Sequence, residues 1–276
     1  MVSKVIVLGA AAGSAGAAIG FAKVRTEFNT WGIDSEEGAM VLPGDDIVAD
    51  AEAVATRGID IAAPPAEVWP WLIQLGYGRA GWYSYDQLDM DRPSADRINP
   101  ELQQLAVGDI VPTHPGGGFE VRILDPGKAL VLYADRDLVE QQATEARQTG
   151  EDIAAASTNV RATGAYLDAA MRGDFQASWA FVLQPRPDGS TRLIERFRGH
   201  MELPAHRPAF APALLRRALL FGLFVMVRRQ MLGIVERAEG RAIGPTPMRA
   251  IKAEVRAKAR AAEAKAIRGA STAASA

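Results

Sequence analysis

Arg57 to Leu88 reads RGIDIAAPPAEVWPWLIQLGYGRAGWYSYDQL, and its punctuation decides the fold. It opens as a strand in which Arg57, Ile59 and Ile61 share one face and Asp60 lies on the other, since successive side chains alternate across a strand. Ala62-Ala63-Pro64-Pro65 stops the strand and starts a helix, because proline suits a first helical turn, where its missing N–H is not needed. Val68, Leu72 and Leu75 then recur at helical spacing, flanked by Trp69, Trp71 and Ile73. Pro70 inside that run predicts a kink or a late start. Gly76, Gly78 and Gly81 break the helix, and Trp82-Tyr83-Ser84-Tyr85-Asp86 follows as a dense aromatic cluster.

Downstream, strands are expected at Asp109–Pro112, Phe119–Leu124 and Ala129–Tyr133. In the second, Phe119, Val121 and Ile123 alternate with Glu120 and Arg122, the pattern of a half-buried antiparallel strand. Gly116-Gly117-Gly118 and Asp125-Pro126-Gly127 read as turns between them. Residues 136–174 are polar, rich in Ala, Gln and Glu, and lack strand alternation; they read as a helical insertion, with a lid over a cavity mouth as the alternative. The sheet resumes at Gln176–Gln184, where Trp179, Phe181 and Leu183 share a face, and at Thr191–Met201. In the latter Leu193, Glu195, Phe197 and Met201 share one face, and Arg192, Arg196 and Arg198 the other. Glu195 is thus an acid on an otherwise apolar face. Leu214–Arg241 reads as a helix, and its apolar centre Leu219–Val227, set between Arg216-Arg217 and Arg228-Arg229, is too short to span a bilayer.

The flanks are plainer. Val5 to Ala22 is uncharged and bracketed by Lys4, Lys23 and Arg25, about the minimum length for a membrane span. Its centre is Gly and Ala, and Gly9, Gly13, Gly16 and Gly20 match small-residue packing motifs. A membrane anchor, a surface helix and a dinucleotide-binding strand start are the three readings; the last lacks the G-x-G-x-x-G spacing. Residues 27–51 carry Glu36, Glu37, Asp45, Asp46 and Asp50 and read as a solvated acidic linker. Residues 242–276 form a basic, Ala-rich tail without aromatics, for which solvation is a simpler reading than nucleic-acid binding.

Composition bounds the chemistry. The chain has 276 residues, a formal net charge of -2, 48% hydrophobic residues and no cysteine. Such a balance exerts no global pull on nucleic acid, and thiolate catalysis and disulfides are excluded. His114, His200 and His206 lie in no metal-ligand spacing. Ser84, in Trp82-Tyr83-Ser84-Tyr85, does not match the G-x-S-x-G nucleophile elbow. Asp86, Asp89, Asp91 and Asp96 read as surface or capping carboxylates, Asp86 being the first to test for chemistry.

The strand, the APP stop, the VWPWL helix and GRAGWYSYDQLD together resemble the SRPBCC superfamily, which includes START domains and polyketide cyclase/dehydrase-like proteins. WGIDSEE (Trp31–Glu37), LPGDD (Leu42–Asp46) and VGDIVP (Val107–Pro112) look like a bacterial branch of it without assigned chemistry. The resemblance covers roughly residues 31–240. It implies an α+β helix-grip fold, a curved antiparallel sheet wrapped around a long C-terminal helix, over residues 52–241. It also implies a cavity between sheet and helix, lined by Trp179, Phe181, Leu193, Phe197, Leu223, Val227 and Met231, with Arg57, Glu195, Trp82, Tyr83 and Tyr85 as polar or aromatic anchors. A solid core of the same residues is the alternative. An apolar small molecule or lipid is the expected ligand, with no cofactor, metal or nucleic acid. A cyclase-like enzyme using Glu195, Tyr83 or Tyr85 as acid or base, and a membrane-tethered interaction module, are the other readings. Residues 1–26 would make the protein membrane-associated if they insert, and leave it cytoplasmic if they do not. First and last strands pair in this fold, and a lone buried charge costs several kcal/mol. An Arg57–Glu195 ion pair is therefore expected across those strands, unless local twist turns one residue to solvent.

Overall fold

Strands β1 (Ala53–Ile61) and β6 (Thr191–Met201) lie antiparallel and side by side, with Arg57 directly across from Glu195. They begin a six-stranded antiparallel sheet of order β1-β6-β5-β4-β3-β2, in which β2 is Ile110–His114, β3 Gly117–Asp125, β4 Ala129–Asp135 and β5 Phe175–Pro185. This computed structural model describes residues 28–149, 175–201 and 210–241. The sheet is curved, and the register shifts between Pro112 and His114 and between Val121 and Ile123, irregularities that bend a strand locally. Turn residues sit where the sequence puts them, with one difference. Gly116 alone takes the left-handed turn conformation (φ 79°), while Gly117 and Gly118 enter β3. A Cβ on Gly118 would lie 2.5 Å from the Val111 carbonyl oxygen, so close strand approach needs glycine there.

Helix α1 (Ser35–Ala39) is capped by Asp34 and Glu37 reciprocally, each side chain accepting from the other's backbone N–H. Helix α2 (Pro65–Ile73) starts at the proline pair and runs through Pro70, so the late start expected from that residue does not occur. It buries Val68, Trp71, Leu72 and Ile73. After the short helix α3 (Asp86–Asp89) and a 3-10 turn at Pro100–Leu102, the chain enters the sheet. Helix α4 (Arg136–Thr149) fills the first part of the expected insertion; the rest of that insertion, Val5–Ala22 and the basic tail lie outside the described residues. Helix α5 (Phe210–Ala238) sends Val227, Met231, Ile234 and Val235 into one core with Ile61, Val121, Leu130, Leu132, Phe181 and Leu193 from the sheet. Among the described residues no helix is long and apolar enough to cross a membrane.

The acidic segment before β1 is not a solvated linker. Leu42 packs with Ala129, Val182 and Ile194 on the sheet face opposite α5. The three arginines of that face grip the segment. Arg192 bonds both carboxylate oxygens of Glu37 (2.7 Å each) and the Gly32 carbonyl. Arg196 reaches Asp45 at 2.6 Å and the Met40 carbonyl at 2.7 Å, and Arg198 reaches the carbonyls of Val48 and Ala49. Hydrogen bonding from Arg192 holds the Glu37 carboxyl below the usual range. Local charge density alone reads as a solvated run; the complementary row of arginines lies about 150 residues later, beyond any local window.

Candidate functional site

On the face turned to α5, β6 presents Leu193, Glu195 and Phe197, opposite Ile59, Arg57 and Ala55 of β1 and opposite Leu183, Phe181 and Trp179 of β5. Alternation therefore delivers one arginine and one glutamate to an apolar surface. Arg57 Nη1 stands 3.0 Å from Glu195 Oε2, with both side chains fully buried, so the expected ion pair is present. A third partner joins it: the Trp179 indole N–H donates to Glu195 Oε1 at 2.5 Å. Desolvation pushes the Glu195 carboxyl up, against the opposing pull of Arg57 and of the Trp179 hydrogen bond. The Arg57 guanidinium also lies over the Phe224 ring, 5.9 Å from its centroid, so α5 closes the pair from above.

Trp179 is the hinge between this polar pair and an aromatic cluster. Trp82 stacks on it with centroids 5.4 Å apart and planes 15° apart. Phe119 meets it edge-on at 5.9 Å and Phe181 lies tilted at 5.1 Å. Offset and edge-to-face geometries of this kind add about 0.5–1.5 kcal/mol per pair beyond burial. The cluster joins two strands, β3 and β5, to the segment after α2. Alternation along β5 places Trp179 and Phe181 on one face, and Phe119 alternates with Glu120 just as locally, but its convergence on Trp179 from another strand is a tertiary contact outside the expected site.

The twelve residues expected to form the site do not share one environment. Phe181, Leu193, Met231 and Val227 are enclosed by neighbouring side chains, whereas Phe197 and Leu223 are half-buried and pack on the edge of the same core together with Phe119. Trp82 and Trp179 are nearly buried between these groups. Tyr83 belongs to a different structure. Its backbone is in the left-handed region (φ 56°), its hydroxyl donates to the Trp71 carbonyl and accepts from Gln74, and its ring lies 4.3 Å beneath the Arg237 guanidinium. Burial raises its phenol well above the ordinary range, and the hydroxyl's bonds to Trp71 and Gln74 make it an anchor of this segment. Tyr85 is half-buried, and its hydroxyl has no hydrogen-bond partner among the described residues. Burial raises its phenol too, opposed by Arg229 and Arg228.

Helix α5 comes close to Tyr83 because residue 233 is glycine. A Cβ there would sit 2.2 Å from the Tyr83 carbonyl oxygen. In an exposed helix Gly→Ala stabilises by about 1 kcal/mol, so the sign discriminates. We expect Gly233→Ala to lower the melting temperature, with a net loss of about 1–2 kcal/mol, because backbone cannot move aside as a side-chain tip can.

Two carboxylates of the 86–96 stretch, both expected at the surface or as caps, differ in the structure. Asp86 is tied to the chain, accepting from the Ser94 hydroxyl at 2.6 Å and the Ser94 backbone N–H at 2.9 Å. Asp89, expected at the surface, is 7% exposed, and its Oδ1 has no hydrogen-bond partner among the described residues. Burial, reinforced by the neighbouring Asp86 charge, pushes its pKa up to about 7. Among the described residues no group of three or more His, Asp or Glu side chains is placed to hold a metal ion.

No protein-family model and no curated protein matches the chain. Among solved structures it is similar to protein MLL2253 from Mesorhizobium loti, a crystal structure, at 18% identity and a TM-score of 0.27, covering 65% of this chain and 96% of that one. A likeness that weak fixes neither fold nor function.

Proposed function

We propose that the chain is a helix-grip protein of the SRPBCC type that binds an apolar small molecule or lipid between the inner face of its sheet and helix α5. The arrangement that favours the helix-grip reading is a curved antiparallel sheet whose first strand pairs with its last, packed on a long C-terminal helix. The observation that carries the ligand reading is the aromatic cluster around Trp179. Phe119 of that cluster, Phe197 across from Trp179 on β6 and Leu223 of α5 are only half-buried on the same core, while behind Trp179 both Glu195 oxygens are held, by Arg57 and by the indole N–H. An apolar lining with few polar anchors suits a hydrophobic guest. The enclosed residues Phe181, Leu193 and Met231 form the floor, and contact with the guest falls to Phe119, Phe197, Leu223 and the edge of Trp179. An acid–base role at this face is less well supported: both Glu195 oxygens are engaged by Arg57 and Trp179.

Native mass spectrometry of protein purified without detergent tests the reading directly. A co-purifying apolar molecule, or saturable quenching of tryptophan emission by added oleate that is lost in Phe197→Arg, is the expected result. A ligand-free mass together with no saturable response to oleate overturns it.

A further inference from the structure

The stretch between α2 and β2 builds a second concave surface. Its organiser is Gln74, fully buried just after α2. The Gln74 Nε2 donates to the Tyr83 hydroxyl at 2.8 Å and to the Arg97 carbonyl at 3.3 Å, while its Oε1 accepts from the Asn99 backbone N–H at 2.9 Å and from Gln103 Nε2 at 3.2 Å. One satisfied buried amide thus fixes the backbone from Arg97 to Asn99, a use of buried polar groups that favours a single conformation. That backbone forms part of an open cleft of about 530 Å³, into which Arg79, Arg92 and Arg97 all project along with Asp96 and Glu101.

The three arginines are placed without being neutralised. Arg79 is held by the C-terminal end of α2, its Nε donating to the Leu75 carbonyl at 2.9 Å and its Nη2 to the Ile73 carbonyl at 2.8 Å. Arg92 Nη2 donates to the carbonyls of Gly78 at 2.7 Å and Arg79 at 3.1 Å. The Arg97 side chain makes no hydrogen bond or ion pair among the described residues, and none of the three has a carboxylate within ion-pair distance there. This contrasts with the opposite sheet face, where each arginine is spent on the 31–50 segment. A guanidinium carries five N–H donors in a planar fork, so backbone anchoring through one edge leaves donors for a ligand oxyanion. Pro93 and Pro100, also in the lining, limit backbone freedom and keep the cleft preformed.

We propose that this cleft binds a small soluble molecule through a carboxylate or phosphate group held by Arg79, Arg92 and Arg97. Asp96 and Glu101 accept from hydroxyl or ammonium groups elsewhere on it. The inference does not rest on the apolar-ligand reading, since none of the aromatic residues of that site lines this cleft.

Isothermal titration of the full chain at low ionic strength, with inorganic phosphate and separately with succinate, tests it. Saturable binding of at least one is expected, weakened tenfold or more by Arg97→Gln and unchanged by Lys128→Gln, a control at an exposed turn. Which anion binds assigns the group. Arg97 makes no internal side-chain bond, so the variant should fold, and its circular dichroism confirms that it has. Absence of saturable binding by either anion, retention of affinity in Arg97→Gln, or an equal loss in Lys128→Gln overturns the proposal.

Discussion

Replacing Arg57 by alanine should cost about 3–5 kcal/mol of folding stability, while replacing Glu195 by glutamine should cost distinctly less. Both side chains are fully buried and stand 3.0 Å apart, so neither charge has water to fall back on. Alanine at 57 removes the cation and leaves a buried carboxylate with the Trp179 N–H as its remaining donor among the described residues, besides opening a cavity beneath Phe224. Glutamine at 195 keeps the shape and two polar ends, one of which still accepts from Arg57. The buried guanidinium then lacks its counter-charge but keeps a hydrogen bond.

The sign of the pH dependence separates this account from a pure packing loss. Without Arg57, burial holds the Glu195 carboxyl above its unfolded value of about 4.3, so between that value and the folded one the native state carries a proton the unfolded chain has lost. Stability of the Arg57→Ala variant therefore falls as pH rises through that window, and the deficit against the parent narrows toward acid pH. Urea midpoints at several pH values read it. A deficit that is constant with pH, or equal and negligible losses in both variants, would refute the charge argument.

Asp89→Asn is expected to stabilise the protein, and more so at alkaline pH. The parent carboxyl is almost fully buried and pushed up to about 7, mainly by burial and then by the Asp86 charge. The folded state thus holds a proton above the ordinary aspartate value of about 3.9, and its stability falls as pH rises from there to about 7. Asparagine has the same shape and nothing to ionise. Its advantage over the parent should grow by about 2–3 kcal/mol between pH 5 and pH 8 and then level off. Thermal melts of both proteins across that range decide it; a difference independent of pH would show that Asp89 reaches solvent when ionised.

Much of the sheet was legible because alternation is a local property. Thr191–Met201 announced its two faces in sequence, arginines on one and Leu193, Glu195 and Phe197 on the other, and β6 has those bounds and faces. The Arg57–Glu195 pair needed more. Each strand showed one misplaced charge, but matching them required the two strands to be neighbours, and the resemblance supplied that expectation. Of the aspartates of residues 86–96 only Asp89 departs from the surface or capping role expected of it, because nothing local separates it from the others. Asp86 is tied by Ser94 across a turn, and Asp89 is buried by the packing of a four-residue helix. Composition misassigned the 31–50 segment for the same reason: an acidic run looks solvated until its arginines are found on another strand.

By itself the sequence determined that the six strands and the helices after the proline pair and at the C-terminal side exist, with ends a few residues from those observed, because prolines, glycines and hydrophobic period act within a few residues of chain. It also determined which side chains share a face. Only the tertiary structure decided which faces meet: Trp82 on Trp179, Gly233 on Tyr83, Gln74 holding Arg97 and Asn99, and α1 with its acidic neighbours on the outer arginines. Those contacts join residues up to about 160 positions apart. Their energies depend on burial and geometry, which emerge only when the whole chain has closed on its core.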